Sequence, residues 1–223
     1  MENNNKQIRH FVVKDCALIA LATGDKAQNL RELRDRLEKV EPGCLYYHFW
    51  GILLKPSFED PEYNNDFASW AKHSLHDGKV AEKLAVIDPT DFKDMETLRR
   101  EVIEVIEEQL YESEIVSWCK LEHQFNFITS QIVIFDTGNR IETPEELTEL
   151  IPTLSVSSIF YHFIDARRRT PEGQDDFRSW LSCYGDKYYG LIDLIANVDP
   201  YFYTLNELRD QLSGVFYQYF KGK

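Results

Sequence analysis

The feature that most constrains this fold is a repeat. FVVKDCALIALATG, starting at residue 11, lies without a gap over FNFITSQIVIFDTG, starting at residue 125, an offset of 114 residues. In the same register Thr23-Gly24 falls on Thr137-Gly138, Glu32-Leu33 on Glu146-Leu147, and Tyr47-His48-Phe49 on Tyr161-His162-Phe163. Past a loop that is shorter in the second copy the offset becomes 110, so NDFASW meets DDFRSW and Leu98-Arg99 meets Leu208-Arg209. Asp88-Pro89 and Asp199-Pro200 correspond after a slip of one residue. Self-similarity kept in one order along nearly the whole chain reads as a tandem duplication. The expected layout is a polar tail (1–10), a first unit (11–112), a connector (113–124) and a second unit (125–223).

Each unit opens with an extended segment. Phe125, Phe127, Ile132, Val133, Ile134 and Phe135 suit strands and DTGN suits a turn, while CALIALATG in the first copy is more ambiguous. A helix follows: in TPEEL, Thr143 is its cap, Pro144 takes the first helical position and Glu146 completes a capping box, roles that Asn29 and Glu32 fill in the first copy. Then come the aromatic stretches LYYHFW and IFYHFI, a helix beginning at Asp66 or Asp176, one ending before Asp-Pro, and a last long helix. Leu98, Val102, Val105, Ile106 and Leu110 show the helical recurrence of that last element. The connector SEIVSWCKLEHQ has no Gly or Pro and carries Ile115, Val116 and Trp118, so it is expected to be packed. The predicted fold is therefore α+β, mainly α: two similar units, each a short extended element plus about four helices, related by pseudo-two-fold symmetry.

With 223 residues, 43% of them hydrophobic, the chain can bury a substantial core. Its formal charge of -13 opposes the basic field that a phosphate backbone demands, which sets nucleic acid aside as a partner. MENNNKQIRH lacks the apolar stretch of a leader, and no run has the length of a membrane span, so a cytoplasmic location with no membrane partner is expected. Cys16, Cys44, Cys119 and Cys183 are scattered without a C-x-x-C pair, which fits reduced thiols better than a disulfide framework or a zinc site.

The histidines inside the aromatic stretches are the first candidates for chemistry. On a helix Leu45, Tyr46, Phe49 and Trp50 share one side, as do Ile159, Phe160, Phe163 and Ile164, and His48 and His162 point the other way. One reading has His48 and His162 lining a shared cleft with Asp66 and Asp176, since a carboxylate fixes an imidazole's tautomer and raises its basicity. The plainer reading has Asp66 and Asp176 capping the helices that follow and the histidines bonded as buried polar groups. Features present in both copies read first as architecture, and a specialised role belongs where they differ. There the first copy has the acidic, proline-containing loop GILLKPSFEDPEYNN, and the second has IDARRRTPEGQ, whose Arg167, Arg168 and Arg169 suit an anion site. The alternative is ion pairing with the chain's own acids. No phosphate loop, H-E-x-x-H or G-x-S-x-G occurs, and His73 and His76 alone are too few for a metal, so neither metal nor cofactor is expected.

The order of Phe-rich strand, Thr-Gly, E-L helix, Y-H-F, (N/D)-D-F-x-x-W and D-P resembles an uncharacterised bacterial family known only as a domain of unknown function, over about residues 11 to 220. The resemblance implies a shared fold and carries no reaction or site residue. The expected function is a non-catalytic binding or regulatory protein that holds a protein or an anionic small molecule at the groove between units or at the divergent loops. Its rival is a small hydrolase or transferase on a phosphorylated or sugar substrate using the paired histidines. Oligomeric state is left open.

Overall fold

A computed structural model describes residues 10–54, 62–113, 116–170 and 172–222. The polar tail up to residue 9, residues 55–61 of the acidic loop, Glu114 and Ile115 of the connector, and Pro171 lie outside the described residues. The architecture is α+β and mainly helical. Two strands, β1 (Phe11–Ala27) and β2 (Phe125–Ile141), form a two-stranded sheet. They run antiparallel, since Thr23 Oγ1 donates to Phe127 O (2.8 Å) and Thr137 Oγ1 to Val13 O (2.7 Å).

Both strands continue straight through the segments expected to be turns. Gly24 and Gly138 take φ of +88° and +81°, and side-chain bonds hold the kink: Thr23 Oγ1 accepts from Asp25 N–H, and Asp136 Oδ1 from Gly138 N–H. A left-handed glycine inside a strand is the device of a β-bulge, which bends a strand without ending it.

The chain divides into two compact units, Leu18–Ile132 and Met1–Ala17 with Val133–Lys223. This division does not follow the sequence repeat. Each unit joins the helices of one repeat to the opening strand residues of the other, because each strand runs on past its own unit.

In the unit Leu18–Ile132, β1 leads into α1 (Leu30–Leu37), α2 (Pro42–Leu54), α3 (Asp66–His73), α4 (Gly78–Ala85) and α5 (Met95–Glu112). Asn29 caps α1, accepting from Glu32 N–H while Glu32 returns a carboxylate to Gln28 N–H. Arg99 of α5 is buried and donates to Leu37 O and Val40 O, closing the carbonyl end of α1. Of the connector, Trp118 is 64% exposed, whereas Cys119 is buried and its N–H bonds Gln28 O at 2.9 Å.

In the other unit, capping boxes form at Thr143, as the sequence suggests, and at Thr204, where Glu207 completes the box. The first begins with a 3-10 turn (Pro144–Glu146) before α6 (Leu147–Leu150). A continuous helical run then comprises α7 (Val156–Ile159), a π-helical stretch (Phe160–Asp165) and α8 (Ala166–Arg169). It is followed by α9 (Asp176–Ser182), α10 (Tyr189–Ala196) and α11 (Leu205–Lys221). Arg209 of α11 donates to Leu154 O at 3.1 Å, as Arg99 does to Val40 O.

The aromatic helix has no open side: every residue from Cys44 to Gly51 is buried, and so is every residue from Ser158 to Ala166. A helix apolar all round belongs in the middle of a unit, and strand residues cover the side that His48 and His162 occupy. Nor are Asp66 and Asp176 the caps. Asn65 caps α3, taking Ala68 N–H at 2.9 Å, and Asp175 caps α9, taking Arg178 N–H at 2.8 Å. The following aspartates stand in the first helical turn with their carboxylates left for other partners.

Candidate functional site

His48 and Asp66 meet in the unit Leu18–Ile132. His48 Nδ1 lies 2.8 Å from Asp66 Oδ2, and the backbone N–H of Ile128 donates to Nε2 at 3.1 Å. An amide can only donate, so Nε2 is the acceptor and Nδ1 carries the ring proton toward the carboxylate. The ring is 2% exposed and packs on Phe125 (4.7 Å between centroids) and Phe67 (5.3 Å), which themselves stack at 5.2 Å beside Trp70.

His162 and Asp176 are arranged the same way in the other unit. Nδ1 lies 2.7 Å from Asp176 Oδ2, and Lys14 N–H donates to Nε2 at 2.9 Å. His162 is 2% exposed, Phe11 lies 4.9 Å from its ring, and Phe11 stacks on Phe177 at 5.4 Å next to Trp180. Lys14 and Ile128 are 114 residues apart, as are Phe11 and Phe125. So each histidine binds, in its own unit, the same position of the strand that belongs by sequence to the opposite repeat.

The chemistry open to these pairs is narrow. A general base needs a free lone pair facing a substrate, and here an amide hydrogen fills that place on both rings. Asp66 and Asp176 keep 22% side-chain exposure, so the carboxylate edge of each pair reaches the surface while the imidazole does not.

The three arginines are brought together on α8, and their described contacts are internal. Arg167 Nε donates to Phe163 O at 3.2 Å, its guanidinium lies over the Phe163 ring, and it stands 4.0 Å from the Asp175 carboxylate. Arg168 and Arg169 share Asp165, with bonds of 2.9 Å each. Arg169 Nη2 also donates to Tyr161 O (2.8 Å) and Asp176 Oδ2 (3.1 Å), and its guanidinium covers the Tyr161 ring at 4.0 Å from the centroid. Burial works against its charge, but Asp176 and Asp165 outweigh it and raise its pKa. Burial likewise lifts the Tyr161 phenol above its ordinary value. Asp165, only 2% exposed, organises this cluster and is not among the residues singled out from sequence. Its signal was its spacing of three and four residues before Arg168 and Arg169.

Against this cluster, within the same unit, opens a cleft of about 330 Å³ lined by Phe11, Lys14, Tyr161, Arg169, Asp176 and Trp180 among others. Lys14 Nζ is 6.0 Å from the centroid of the Tyr161 ring that Arg169 covers. Among the described residues, no group of three His, Cys, Asp or Glu side chains converges on a metal position, and no helix is long and apolar enough to cross a membrane. All four cysteines are free; Cys16, Cys44 and Cys119 are buried and Cys183 is exposed at the cleft.

Comparison with known proteins adds a family and a fold. The model of a family described as "Family of unknown function (DUF5752)" matches residues 8–217. A solved structure titled "The structure of OrfY from Thermoproteus tenax" superposes with a TM-score of 0.80 at 25% identity, covering 94% of each chain. No curated protein gives a significant match.

Proposed function

The chain belongs to the family of unknown function DUF5752, and we propose that it is a non-catalytic binding protein for a small anionic molecule. The observation that carries this reading is the double occupancy of both imidazoles: Asp66 and Ile128 N–H take the two nitrogens of His48, and Asp176 and Lys14 N–H those of His162. A pair of acid–base catalysts would need at least one open nitrogen. In this reading the histidines are architecture and the arginine-bearing segment of the second repeat is the functional addition.

The proposal includes the origin of the chain by tandem duplication with pseudo-two-fold related halves. It is supported by the matched pairs around the two rings, by the Thr23 and Thr137 bonds, and by the Arg99 and Arg209 bonds. It also places the protein in the cytoplasm, with support from four free thiols.

The test is thermal denaturation in a panel of anions at constant ionic strength (phosphate, sulfate, citrate and acetate against chloride), with mass spectrometry of any phosphate ester after incubation. At least one anion should raise the melting temperature, and the ester should return intact. Stabilisation by none of them removes the binding reading, and release of inorganic phosphate from the ester removes the non-catalytic one.

A further inference from the structure

We infer that the cleft beside Tyr161 is a phosphate site, taking the dianionic phosphate group of a small phosphorylated metabolite between Lys14 and Arg169. This rests on the anion-binding reading above and gives it a place and a ligand class.

Charge favours an anion here. In a chain of formal charge -13 this cleft brings an ammonium and a guanidinium to one aromatic ring, at 6.0 and 4.0 Å from its centroid. Lys14 has no ion pair among the described residues. The facing acid, Asp176, has its Oδ2 already engaged by His162 and Arg169. Two cations match a phosphate monoester, which carries close to two negative charges near neutral pH, better than a monocarboxylate.

The guanidinium is also preorganised. Arg169 spends Nε on Asp165 and Nη2 on Tyr161 O and Asp176, which fixes the plane of the guanidinium; its Nη1 has no bond among the described residues. The residue keeps 31% side-chain exposure, so the fixed group still meets solvent. A held arginine loses little further freedom on binding an oxyanion, and lysine adds a compact mobile charge.

The two repeats also differ at this place. His162 and His48 have matching partners, yet the side chains around them differ, with Asp15 and Asp165 standing where the surroundings of His48 have Thr129 and Gly51. Lys14 corresponds to Ile128, and His10 to Gln124. The aromatic helix that is α-helical at residues 46–51 is π-helical at Phe160–Asp165. There Tyr161 O takes both the Ala166 N–H and Arg169. Local π-turns recur at functional sites, and this one widens the helix where the arginine folds back onto it. Among the described residues, the strand position that donates to the ring is cationic at Lys14 and apolar at Ile128.

The experiment is isothermal titration of the full chain with inorganic phosphate, glycerol phosphate as a simple monoester, and acetate, for the wild type, Lys14→Ile and Lys14→Arg. Lys14→Ile installs the residue found at the corresponding strand position and leaves the N–H that His162 requires, and unchanged melting in chloride checks folding. Both phosphates should bind the wild type, acetate at least about tenfold more weakly. Lys14→Ile should weaken phosphate about tenfold or more, as expected for one charge-assisted bond, with Lys14→Arg restoring most of it. If wild type binds phosphate and Lys14→Ile binds it equally, the site is elsewhere and this inference fails while anion binding stands. Inorganic phosphate binding without the monoester overturns the ligand class. Failure of every anion overturns this inference and the proposed function together.

Discussion

Replacing His48 with alanine tests the architecture most directly. The substitution strands the Ile128 N–H, which now donates to Nε2 at 3.1 Å in a buried setting. An unpaired buried amide costs about 1–3 kcal/mol. It also leaves a hole beside Phe67, Phe125 and Phe127, whose centroids lie 5.3, 4.7 and 6.1 Å from the imidazole, and truncating a buried side chain of this size costs about 2–3 kcal/mol. Asp66 loses its bond to His48 but is 22% exposed, so water can replace that bond and little is added. The expected loss is about 3–6 kcal/mol, and at roughly 2–4 °C per kcal/mol for a chain of this length the melting temperature should fall by about 6–24 °C. His48→Gln, which can still offer an acceptor to the amide, should lose about half as much. Thermal unfolding followed by calorimetry reads the total, and hydrogen exchange at the Ile128 amide reads the specific bond. A loss below about 1 kcal/mol with the Ile128 amide still protected would refute the reasoning, because neither orphaned donor nor cavity would then exist.

Three further outcomes follow from other parts of the fold. Gly138→Ala should cost about 1–2 kcal/mol in chemical denaturation, since φ is +81° and nothing lies within 4 Å of an added Cβ, so the penalty is backbone alone; Gly138→Asn should cost less. Burial first, then the nearby Asp15 and Asp165 charges, push the Cys16 thiol up to about 12, so at pH 8 a disulfide reagent should label exposed Cys183 rapidly and Cys16 only on unfolding; rapid loss of two thiols in Cys183→Ser would contradict this. Because the folded thiol is raised above the ordinary value of about 8.5, its contribution to stability is complete below that pH and declines toward pH 12. At the β2 kink, Arg140 and then the Gly138 N–H lower the Asp136 carboxyl to about 2. Arg140→Gln should bring it back toward the usual carboxylate range in an NMR titration, and an unchanged value would show that the Gly138 N–H alone sets it.

Much of the helical layout was legible because its signals are local. Thr143, Thr204 and Asn29 each place a side-chain oxygen where the next turn has unpaired N–H groups, and the structure uses all three. The cap positions of α3 and α9 were misassigned by one residue because NDF and DDF each offer two adjacent capping side chains. The choice between them depends on a histidine 18 or 14 residues earlier in the chain, which local pattern cannot weigh. The passage of the strands through Gly24 and Gly138 was hidden for a similar reason. Thr-Gly has the composition of a turn, and only strand pairing, as between Thr137 and Val13 across 124 residues, shows that the chain continues. The arginine cluster was visible as residues, but Asp165, Tyr161 O and the Lys14 strand that surround it were not.

The strand arrangement also accounts for the surroundings of His48 and His162. A histidine beside an aspartate, repeated in both halves of a chain, has the composition of a catalytic dyad. The deciding partner is a main-chain amide, which every non-proline residue possesses and no side-chain pattern reveals. That amide comes in each unit from a strand position 80 or 148 residues away, so the bond reports that the strand has docked on its helices. A histidine suits this task because it accepts from a backbone N–H on one nitrogen while donating to a carboxylate from the other, joining strand, aromatic helix and the following helix in one chain of bonds through a buried ring. In the proposed reading, chemistry specific to the molecule lies beyond these rings. There the same strand position carries Ile128 in one unit and Lys14 in the other, so the side chain can change freely while the backbone amide continues to hold the fold.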